Sequence, residues 1–392
     1  MTDEDFMRQA IELAKLGRGF TNPNPLVGAV IVKNGMAVAQ GYHHKCGDLH
    51  AERDALKNAR ERGADVRGGT IFVTLEPCCH YGKQPPCTEA IIEAGIKKVV
   101  IGSRDPNPQV NGRGVQILKE AGIDVVQDFL SEECDKLNSF FFHYIKTKKP
   151  YVIVKYAMTM DGQTATSCGE SKWITGELAR NNVHRTRSEV MAVMTGIGTV
   201  LKDDPMLNVR LPARADGLPY RQPLRIVLDS WLRIPLDSNI VRTADKFPVM
   251  VFAVDSIDGE GLKTKAALEK AGVTVELIHA DSECSSLDIG KVLVRLGELG
   301  IDSVLVESGG SLNAAFFFGS EAAENLSLVQ EIQVYVAPKI FGNDGHTINT
   351  PVHGKGIDFP KDAKIFSAPE IEIFGDDILL KYKPGKINSL EK

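Results

Sequence analysis

The spacing of apolar residues along the chain changes repeatedly between the period of a helix and the period of a strand. Positions 3–16 carry an apolar residue every three or four residues, which predicts an amphipathic helix that ends before Gly17. The apolar face of this helix carries Phe6, Ala10, Leu13 and Ala14. Two apolar runs then flank Asn34-Gly35, and an Asn-Gly pair between such runs predicts a β-hairpin with a tight turn.

Helices and strands continue to alternate up to residue 126. Two predicted helices span 50–60 and 88–94, and a third ends at 119. The predicted strands span 70–77, 97–102 and 123–126. The helix at 88–94 ends at Gly95, a residue type typical of helix ends. This succession predicts a three-layer α/β domain, with helices on both faces of one sheet.

A basic segment that ends in proline, at 146–150, has the composition of a linker, and a new apolar strand begins at Tyr151. The predicted strands beyond it span 151–159, 190–196, 224–230, 248–254, 274–280 and 303–308. Three predicted helices span 178–190, 262–272 and 312–318, and another ends at 299. This alternation is typical of βαβ units and predicts a mostly parallel sheet with helices on both faces. After Ile332, two strand-like runs without a helix between them predict an antiparallel edge. We therefore predict two domains, 1–146 and 147–392.

Composition and charge narrow the class of protein. The 392 residues suffice for two or three domains, and a net charge of −5 gives no general attraction to nucleic acid. Seven cysteines, an odd number in a long chain, do not fit a secreted disulfide framework. The acidic first residues and the absence of an apolar run of about 18 residues argue against a signal peptide and a membrane span. We expect a cytoplasmic protein that binds neither nucleic acid nor membrane.

Three short motifs supply the candidate chemistry of the first domain. His50-Ala51-Glu52 is followed by Pro77-Cys78 and, nine residues after that cysteine, by Pro86-Cys87. One histidine and two cysteines can bind zinc and leave its fourth position open for water, as in catalytic zinc sites. A nearby glutamate that is not a ligand can move protons, and this division of roles is typical of zinc-dependent nucleobase deaminases. We predict a catalytic zinc on His50, Cys78 and Cys87, with Glu52 as the proton carrier.

Two neighbouring side chains leave the ligand set open. Cys79 and His80 lie in the same loop and compete with Cys78 as ligands. We favour Cys78, because the residue after Glu76-Pro77 is expected to open a helix whose dipole stabilises a thiolate.

The segment between the two cysteines is predicted to be a loop. It contains two prolines and a glycine, so Cys87 should begin a helix of its own. Lys83 in this loop is a candidate phosphate partner, although a solvated lysine is the more common case. On an ideal helix His50 and Glu52 point about 200° apart, so they share a pocket only if the first helical turn lies over the metal.

Two glycine-containing turns carry the candidate chemistry of the second domain. Gly309-Gly310-Ser311 lies between a predicted strand and an apolar helix, where backbone N–H groups and the helix dipole can bind an anion. Gly196-Ile197-Gly198-Thr199 follows another predicted strand. Each turn alone is weak evidence, and the domain lacks the G-x-G-x-x-G dinucleotide-binding motif. Together, at the carboxyl ends of strands in one parallel sheet, they predict a ligand crevice.

The first domain resembles the deaminase domain of the bifunctional riboflavin-biosynthesis deaminase/reductases of the bacterial RibD type, whose fold is cytidine-deaminase-like. The resemblance lies in TNPNPLVGAVIV at 21–32, HAE at 50–52 and LEPCCHYGKQPPC at 75–87, where the gap between the cysteines is longer than in the P-C-x-x-C motif of most nucleobase deaminases. It implies the same zinc ligands and the same role for Glu52. It also implies substrate contacts from Asn24, His43, Lys83, Asp105 and Asn107. Cys79 stands where serine is frequent in the family and places a spare thiol next to the metal.

Residues 147–384 resemble the reductase half of the same proteins, a domain similar to dihydrofolate reductase that uses NADPH. The matching runs are KYAMTMDGQTATSCGESKWITG, TGIGTVLKDDPMLNVR, RIVLDS and VESGGSLNAAFF. The resemblance implies cofactor contacts from Ala157, Trp173, Thr199, Asp203, Ser230, Gly309, Gly310, Ser311, Leu312, Asn313, Ala314 and Ala315. It implies sugar-phosphate contacts from Ser171, Arg187, Leu207, Arg210 and Glu307. Lys155 and Asp203 are further candidates for orienting or protonating the ribosyl oxygen during hydride transfer.

The resemblance implies two consecutive reactions on one chain. Zinc-dependent hydrolysis would remove an amino group from a diaminopyrimidinone ribosylamino 5′-phosphate, and NADPH would then reduce the ribosyl group to ribityl. One alternative is a nucleoside or tRNA deaminase with an accessory domain, and another is a non-enzymatic zinc-stabilised binding protein. The long cysteine loop and the motifs of the second domain favour the bifunctional enzyme. A homo-oligomer formed through the reductase domain is also expected.

Overall fold

The computed structural model describes residues 1–82, 84–214, 217–280, 286–319, 328–343, 349–354 and 356–385. The chain divides into two compact units, Met1–Lys148 and Lys149–Lys392. The predicted domain boundary at residue 146 lies two residues before this division.

The first unit contains one five-stranded sheet. Its strands are β1 (Gly28–Lys33), β2 (Met36–Tyr42), β3 (Thr70–Leu75), β4 (Lys98–Ser103) and β5 (Asp124–Val126), in the spatial order β2-β1-β3-β4-β5. Its helices are α1 (Asp3–Lys15), α2 (Ala51–Glu61), α3 (Cys87–Glu93), α4 (Arg113–Glu120), α5 (Ser131–Leu137) and α6 (Ser139–Thr147). β1 is antiparallel to β2 and β3, whereas β3, β4 and β5 run parallel. Both residues of the predicted turn, Asn34 and Gly35, have positive φ, which confirms the hairpin.

Both faces of this sheet are buried. Ala29 and Ile31 of β1 pack on one face with α2, α3 and α4, whereas Val30 and Val32 pack on the other face with α1 and α5. Successive residues of a strand point to opposite faces, so an unbroken apolar run in β1 serves two helical layers. The predicted three-layer arrangement is confirmed.

Helix α2, which carries Glu52, lies unusually close to β2. A Cβ atom added at Gly41 would lie 2.3 Å from the backbone nitrogen of Ala55. Only glycine at position 41 allows this distance, and it fixes the height of α2 above the sheet.

The second unit contains a nine-stranded sheet. Its strands are β6 (Tyr151–Thr159), β7 (Ala192–Gly196), β8 (Leu224–Leu228), β9 (Val249–Val254), β10 (Thr274–Ile278), β11 (Ser303–Glu307), β12 (Glu331–Ala337), β13 (Glu370–Phe374) and β14 (Asp377–Tyr382). Its helices are α7 (Glu177–Glu189), α8 (Ile197–Asp203), α9 (Asn239–Arg242), α10 (Gly259–Lys270), α11 (Ile289–Glu298) and α12 (Gly310–Phe318). The spatial order is β10-β9-β8-β7-β11-β6-β12-β14-β13, and the first seven of these strands run parallel.

The last two strands form the predicted antiparallel edge. β14 is antiparallel to β12, and β13 is antiparallel to β14. Helices α11 and α12 pack on one face of the sheet with Val334 of β12, whereas α7 packs on the opposite face with Tyr335. The mostly parallel sheet predicted from the βαβ rhythm is confirmed.

The six cysteines in the described ranges are all free thiols. Across the same ranges, none of the helices combines the length and apolar character needed to cross a membrane.

Candidate active sites

The first site is built around the start of α2. His50 is the N-cap of this helix, with extended backbone angles of φ −71° and ψ 158°, and Glu52 is the second helical residue. The prediction that His50 begins the helix is therefore off by one residue. An N-cap lies outside the helical turn, so its side chain does not follow the 100° spacing of helical residues. The separation of about 200° expected between His50 and Glu52 on an ideal helix therefore does not apply.

The two cysteines differ in secondary structure, since one begins a helix and the other lies in a loop. Cys87 is the first residue of α3, as predicted, but Cys78 lies in the loop after β3, so the expectation that Cys78 opens a helix is wrong. The start of α3 stabilises the Cys78 thiolate instead, because the backbone N–H of Cys87, the first residue of that helix, donates to its Sγ over 3.4 Å. The hydrogen bond with the Cys87 thiol and the adjacent His50 lower the pKa of Cys78 to about 4. A thiolate is the form of cysteine that binds a metal.

The three predicted ligands converge. Nδ1 of His50 lies 3.4 Å from Sγ of Cys78 and 3.5 Å from Sγ of Cys87. Within the described ranges, these residues form the one group of three potential metal ligands whose ligand atoms lie within 4.8 Å of one another. Cys79 instead donates its thiol hydrogen to the carbonyl of Gln109 over 3.6 Å. An imidazole nitrogen and two thiolates suit zinc, so the donor set fits a zinc ion with three protein ligands.

Glu52 is the carboxylate at this cluster. Its side chain is buried, with 3% of the residue exposed. Burial and the charge of Cys78 raise the pKa of Glu52, which makes the carboxylate a better proton acceptor than an exposed one.

Two predicted substrate residues lie beside the metal ligands. The ring of His43 lies 5.4 Å from that of His50, centroid to centroid. Nδ1 of His43 donates to the carbonyl of Leu49 over 2.9 Å, so its Nε2 accepts from the amide of Asn24 over 3.2 Å. Burial lowers the pKa of His43, which keeps the ring neutral.

The loop after β4 contributes the next two predicted residues. Asp105 is 7% exposed and accepts a hydrogen bond from the backbone of Asn107 over 2.8 Å. Burial raises the pKa of Asp105 to about 6, and the nearby charges of Glu76 and Cys78 act in the same direction. Lys83, the predicted phosphate partner, lies outside the described residues.

Two residues that hold the loops of this site in place, Glu76 and Arg53, were not identified from the sequence. Glu76 accepts hydrogen bonds from the backbone of Gly112 over 3.1 Å and of Val115 over 3.4 Å, which ties the start of α4 to the residues before Cys78. Arg53 donates to two backbone carbonyls of the loop that leads to Cys87. Arg53 follows Glu52 directly and Glu76 lies two residues before Cys78, and these positions were the only indications of such roles in the sequence.

The second site is a cavity of about 730 Å³ at the carboxyl ends of β6, β7 and β11. Both glycine turns open onto it, since α8 and α12 begin there. Cβ atoms added at Gly198 and Gly309 would meet no atom within 4 Å, so a ligand can approach the backbone at both turns. The predicted residues that line the cavity are Lys155, Ala157, Ser171, Trp173, Arg187, Thr199, Asp203, Leu207, Arg210, Glu307, Gly309, Gly310, Ser311 and Leu312.

Four predicted cofactor residues do not line this cavity: Ser230, Asn313, Ala314 and Ala315. Asn313 is fully buried, and its amide donates to the carbonyl of Pro351 over 2.8 Å. Ser230 accepts a hydrogen bond from the backbone of Leu287 over 3.3 Å. Their contacts with a cofactor stay predictions.

An ion cluster lies at the centre of the cavity wall. Arg187 donates to both carboxylate oxygens of Glu307, over 2.5 and 3.1 Å, and Nζ of Lys155 lies 3.6 Å from the same carboxylate. Arg187 is 9% exposed, so it does not lie on a solvated helix face. Burial alone would raise the pKa of Glu307, but Arg187 and Lys155 lower it to about 2. Burial lowers the pKa of Lys155, and Glu307 opposes this effect.

His184 also lines the cavity and was missed by sequence reasoning. It lies one helical turn before Arg187 on α7 and is 8% exposed. Burial and the positive charges of Arg187 and Arg210 lower the pKa of His184 to about 4, so the ring is neutral. The spacing of three residues from Arg187 was the one signal for it in the sequence.

Two family models match the chain. The model described as RibD C-terminal domain matches residues 150–363, and the model described as cytidine and deoxycytidylate deaminase zinc-binding region matches residues 1–103. The protein named riboflavin biosynthesis protein RibD in Actinobacillus pleuropneumoniae is 49% identical over 382 residues, which cover 97% of this chain and 95% of that protein. The protein of the same name in Escherichia coli strain K12 is 38% identical over 387 residues, which cover 97% and 99% of the two chains.

Two solved structures superpose on this chain over nearly its whole length. RibD of Acinetobacter baumannii superposes with a TM-score of 0.82 at 38% identity, over 98% of this chain and 99% of that one. A Thermotoga maritima protein named diaminohydroxyphosphoribosylaminopyrimidine deaminase/5-amino-6-(5-phosphoribosylamino)uracil reductase superposes with a TM-score of 0.80 at 39% identity, over 97% and 98%. These matches confirm the predicted α/β fold class, with a deaminase-like N-terminal domain and a reductase C-terminal domain.

Proposed function

The chain belongs to the RibD family and is a bifunctional enzyme of riboflavin biosynthesis, with a zinc-dependent deaminase and an NADPH-dependent reductase, and from this premise we propose its substrates and the residues that act on them. The deaminase substrate is a diaminopyrimidinone ribosylamino 5′-phosphate. The reductase then converts the ribosyl group of the deaminated product to ribityl. The name of the Thermotoga maritima protein, which is 39% identical, supports both substrates.

Glu52 carries the protons of the deamination. His50, Cys78 and Cys87 would hold the zinc ion, which would activate a water for attack on the ring carbon that bears the amino group. Glu52 would accept the first proton of that water and pass it to the ring nitrogen, and would then carry the proton of the newly added hydroxyl group to the amine, which leaves as ammonia. The raised pKa of Glu52 supports this role, because the group must both accept and donate within one cycle.

The pyrimidine binds between the two groups of polar residues beside the zinc ligands. Asn24 and His43 contact it from one side, and Asp105 and Asn107 contact it from the loop after β4. A neutral His43 supports hydrogen bonding to an uncharged ring. Lys83 binds the substrate phosphate, a role proposed from its position in the sequence.

The reductase cavity aligns NADPH with the sugar phosphate. The backbone N–H groups at the starts of α8 and α12 would hold the phosphates of NADPH, which would supply the hydride. Arg187 and Arg210 bind the phosphate of the substrate, for which a planar guanidinium is well suited. Lys155, held by Glu307, orients or protonates the ribosyl oxygen, and Asp203 is a second candidate for this role.

The partners are small molecules and a second copy of the chain. The reductase domain forms a homo-oligomer through its edge strand β13, where Ile371 and Ile373 are 64% and 72% exposed. The enzyme acts in the cytoplasm, without nucleic acid or membrane as partners.

The buried Glu52 beside the His50–Cys78–Cys87 cluster carries the proposal, and Glu52→Gln tests it. We expect the variant to retain zinc, because Glu52 is not a ligand, and to release ammonia about 10²- to 10⁴-fold more slowly. Supplied with the deaminated intermediate, it should oxidise NADPH at the wild-type rate. Ammonia release and NADPH absorbance are followed in one cuvette, and Glu61→Gln, at the exposed end of the same helix, is the control.

Other outcomes would identify other functions. Full ammonia release by the Glu52→Gln variant would exclude the proposed proton carrier. Ammonia released by the wild-type enzyme from cytidine or adenosine, but not from the diaminopyrimidinone, would indicate a nucleoside or tRNA deaminase. Zinc-loaded protein that changes neither signal would exclude the proposed reactions.

A further inference from the structure

The loop that leads to Cys87 has few hydrogen bonds of its own. Pro85 and Pro86 lack the backbone N–H group, so this end of the loop can accept but not donate backbone hydrogen bonds. In the described part of the loop, Gly82 donates to the carbonyl of Gln84 over 3.2 Å. The end next to Cys87 therefore depends on donors from elsewhere in the fold.

Arg53 supplies two such donors. Its Nε donates to the carbonyl of Pro85 over 3.0 Å, and its Nη2 donates to the carbonyl of Pro86 over 2.7 Å. A guanidinium is planar and its N–H groups have fixed directions, so two contacts to consecutive carbonyls define the position of the loop end.

These contacts connect the helix that follows His50 to the loop end that precedes Cys87. Arg53 follows Glu52 in the first turn of α2, and the N-cap of that helix is His50. Pro86 is the N-cap of α3, and Cys87 is the first residue of that helix. One side chain thus spans from the helix that follows one zinc ligand to the residue that precedes another.

We propose that Arg53 is a positioning residue that holds Cys87 against His50 and so slows the loss of zinc from the deaminase site. The inference rests on the proposed zinc ligands. Zinc can leave only when a ligand detaches, and a loop end that is free to move gives Cys87 that opportunity. Residues that orient metal ligands typically change metal affinity by about 10- to 100-fold when they are mutated.

The experiment measures the rate at which the zinc-loaded, full-length enzyme transfers zinc to an excess of a coloured chelator. We expect Arg53→Met, which keeps an unbranched apolar side chain but has no donor, to release zinc at least tenfold faster than the wild type. Arg53→Lys, which has a single donor group, should lie between the two. Arg60→Met, on the exposed last turn of the same helix, should release zinc at the wild-type rate.

A second readout separates positioning from damage to the fold. Excess free zinc should restore ammonia release by Arg53→Met, and NADPH oxidation with the deaminated intermediate should match the wild type throughout. If Arg53→Met fails to fold, the Arg53→Lys rate decides. Equal rates of zinc release in the wild type and in both Arg53 variants would overturn the proposal. A wild-type enzyme that binds no zinc would overturn the proposed ligand set instead.

Discussion

Glu307 is the carboxylate on which two buried cations of the reductase cavity depend. It accepts two hydrogen bonds from Arg187 and lies 3.6 Å from Nζ of Lys155. A buried charge without a partner is costly, so removing this carboxylate leaves both cations uncompensated. The three residues act as one group, and a change at Glu307 should affect both substrate alignment and stability.

Glu307→Gln is predicted to destabilise the second unit in a pH-dependent way. The folded-state pKa of about 2 lies below the ordinary value of 4.5, so the carboxylate stabilises the fold at pH values above 4.5 and loses this effect as the pH falls towards 2. The contribution at pH 7 is about 3 kcal/mol at 1.36 kcal/mol for each pKa unit. Thermal unfolding of the wild type and the variant should show a difference that shrinks by about half between pH 7 and pH 3. A difference that stays constant over this range would contradict the prediction.

Residue-level prediction from the sequence named candidates where chemistry limits the choice, and the structure brings the three candidate ligands together. Zinc needs ligands of a few types, so His50, Cys78 and Cys87 stood out before any geometry was known. It failed where the role depends on contact alone, because Arg53, Glu76 and His184 are ordinary residue types whose partners lie far away in sequence or on another element. The preference for Cys78 over Cys79 had the wrong basis, a helix that begins at Cys78 itself. The structure distinguishes them by direction, since Cys79 points to Gln109.

At the scale of elements, the hairpin of β1 and β2 determines where the deaminase helix lies. Gly35 stands in the turn with φ of 73° and open space around it, whereas Gly41 stands in β2 against the backbone of α2. The same substitution at these two glycines should therefore have different consequences for the site.

Gly41→Ala is predicted to displace α2, to lower stability by about 1–3 kcal/mol and to weaken zinc retention, because the new methyl group would meet the backbone of Ala55. Gly35→Ala should cost about 1–2 kcal/mol through its left-handed backbone alone and leave zinc retention unchanged. Thermal unfolding and zinc transfer to a chelator measure the two effects separately. Identical zinc release by both variants would show that the height of α2 does not control the metal site.

The elements that the sequence predicted well are long and strongly periodic, or marked by a turn signal, such as α1, the Asn34-Gly35 hairpin and the βαβ succession. The sequence did not predict α5, α6, α8 or α9. These helices have nine residues or fewer, and α8 includes the glycine of a turn that itself predicted a ligand crevice. Helices of this length depend on tertiary packing more than on their own propensity, so local pattern does not reveal them.

At the scale of the whole molecule, the two proposed sites consist of separate sets of residues. The zinc cluster lies within Met1–Lys148, and the residues that line the reductase cavity lie within Lys149–Lys392. The separation was visible in the sequence, because the deaminase motifs end before the basic segment at 146–150 and the second set of motifs begins after it. Oligomeric state was not visible in the same way, since it depends on which surfaces a partner covers.

The exposed edge of the second sheet leads to the last prediction. Ile371 and Ile373 are two residues apart on β13, so their side chains lie on one face, and within the described part of the chain β13 pairs with β14 alone. An exposed apolar edge of this kind is a template for pairing with another chain. We predict that the wild-type enzyme is at least a dimer and that Ile371→Lys combined with Ile373→Lys shifts it to a monomer of 42.8 kDa. Light scattering after gel filtration measures the mass, and Ile365→Lys, at an isoleucine that is 73% exposed outside the strand, is the control. A double variant with wild-type mass that still oxidises NADPH would show that β13 is not the interface.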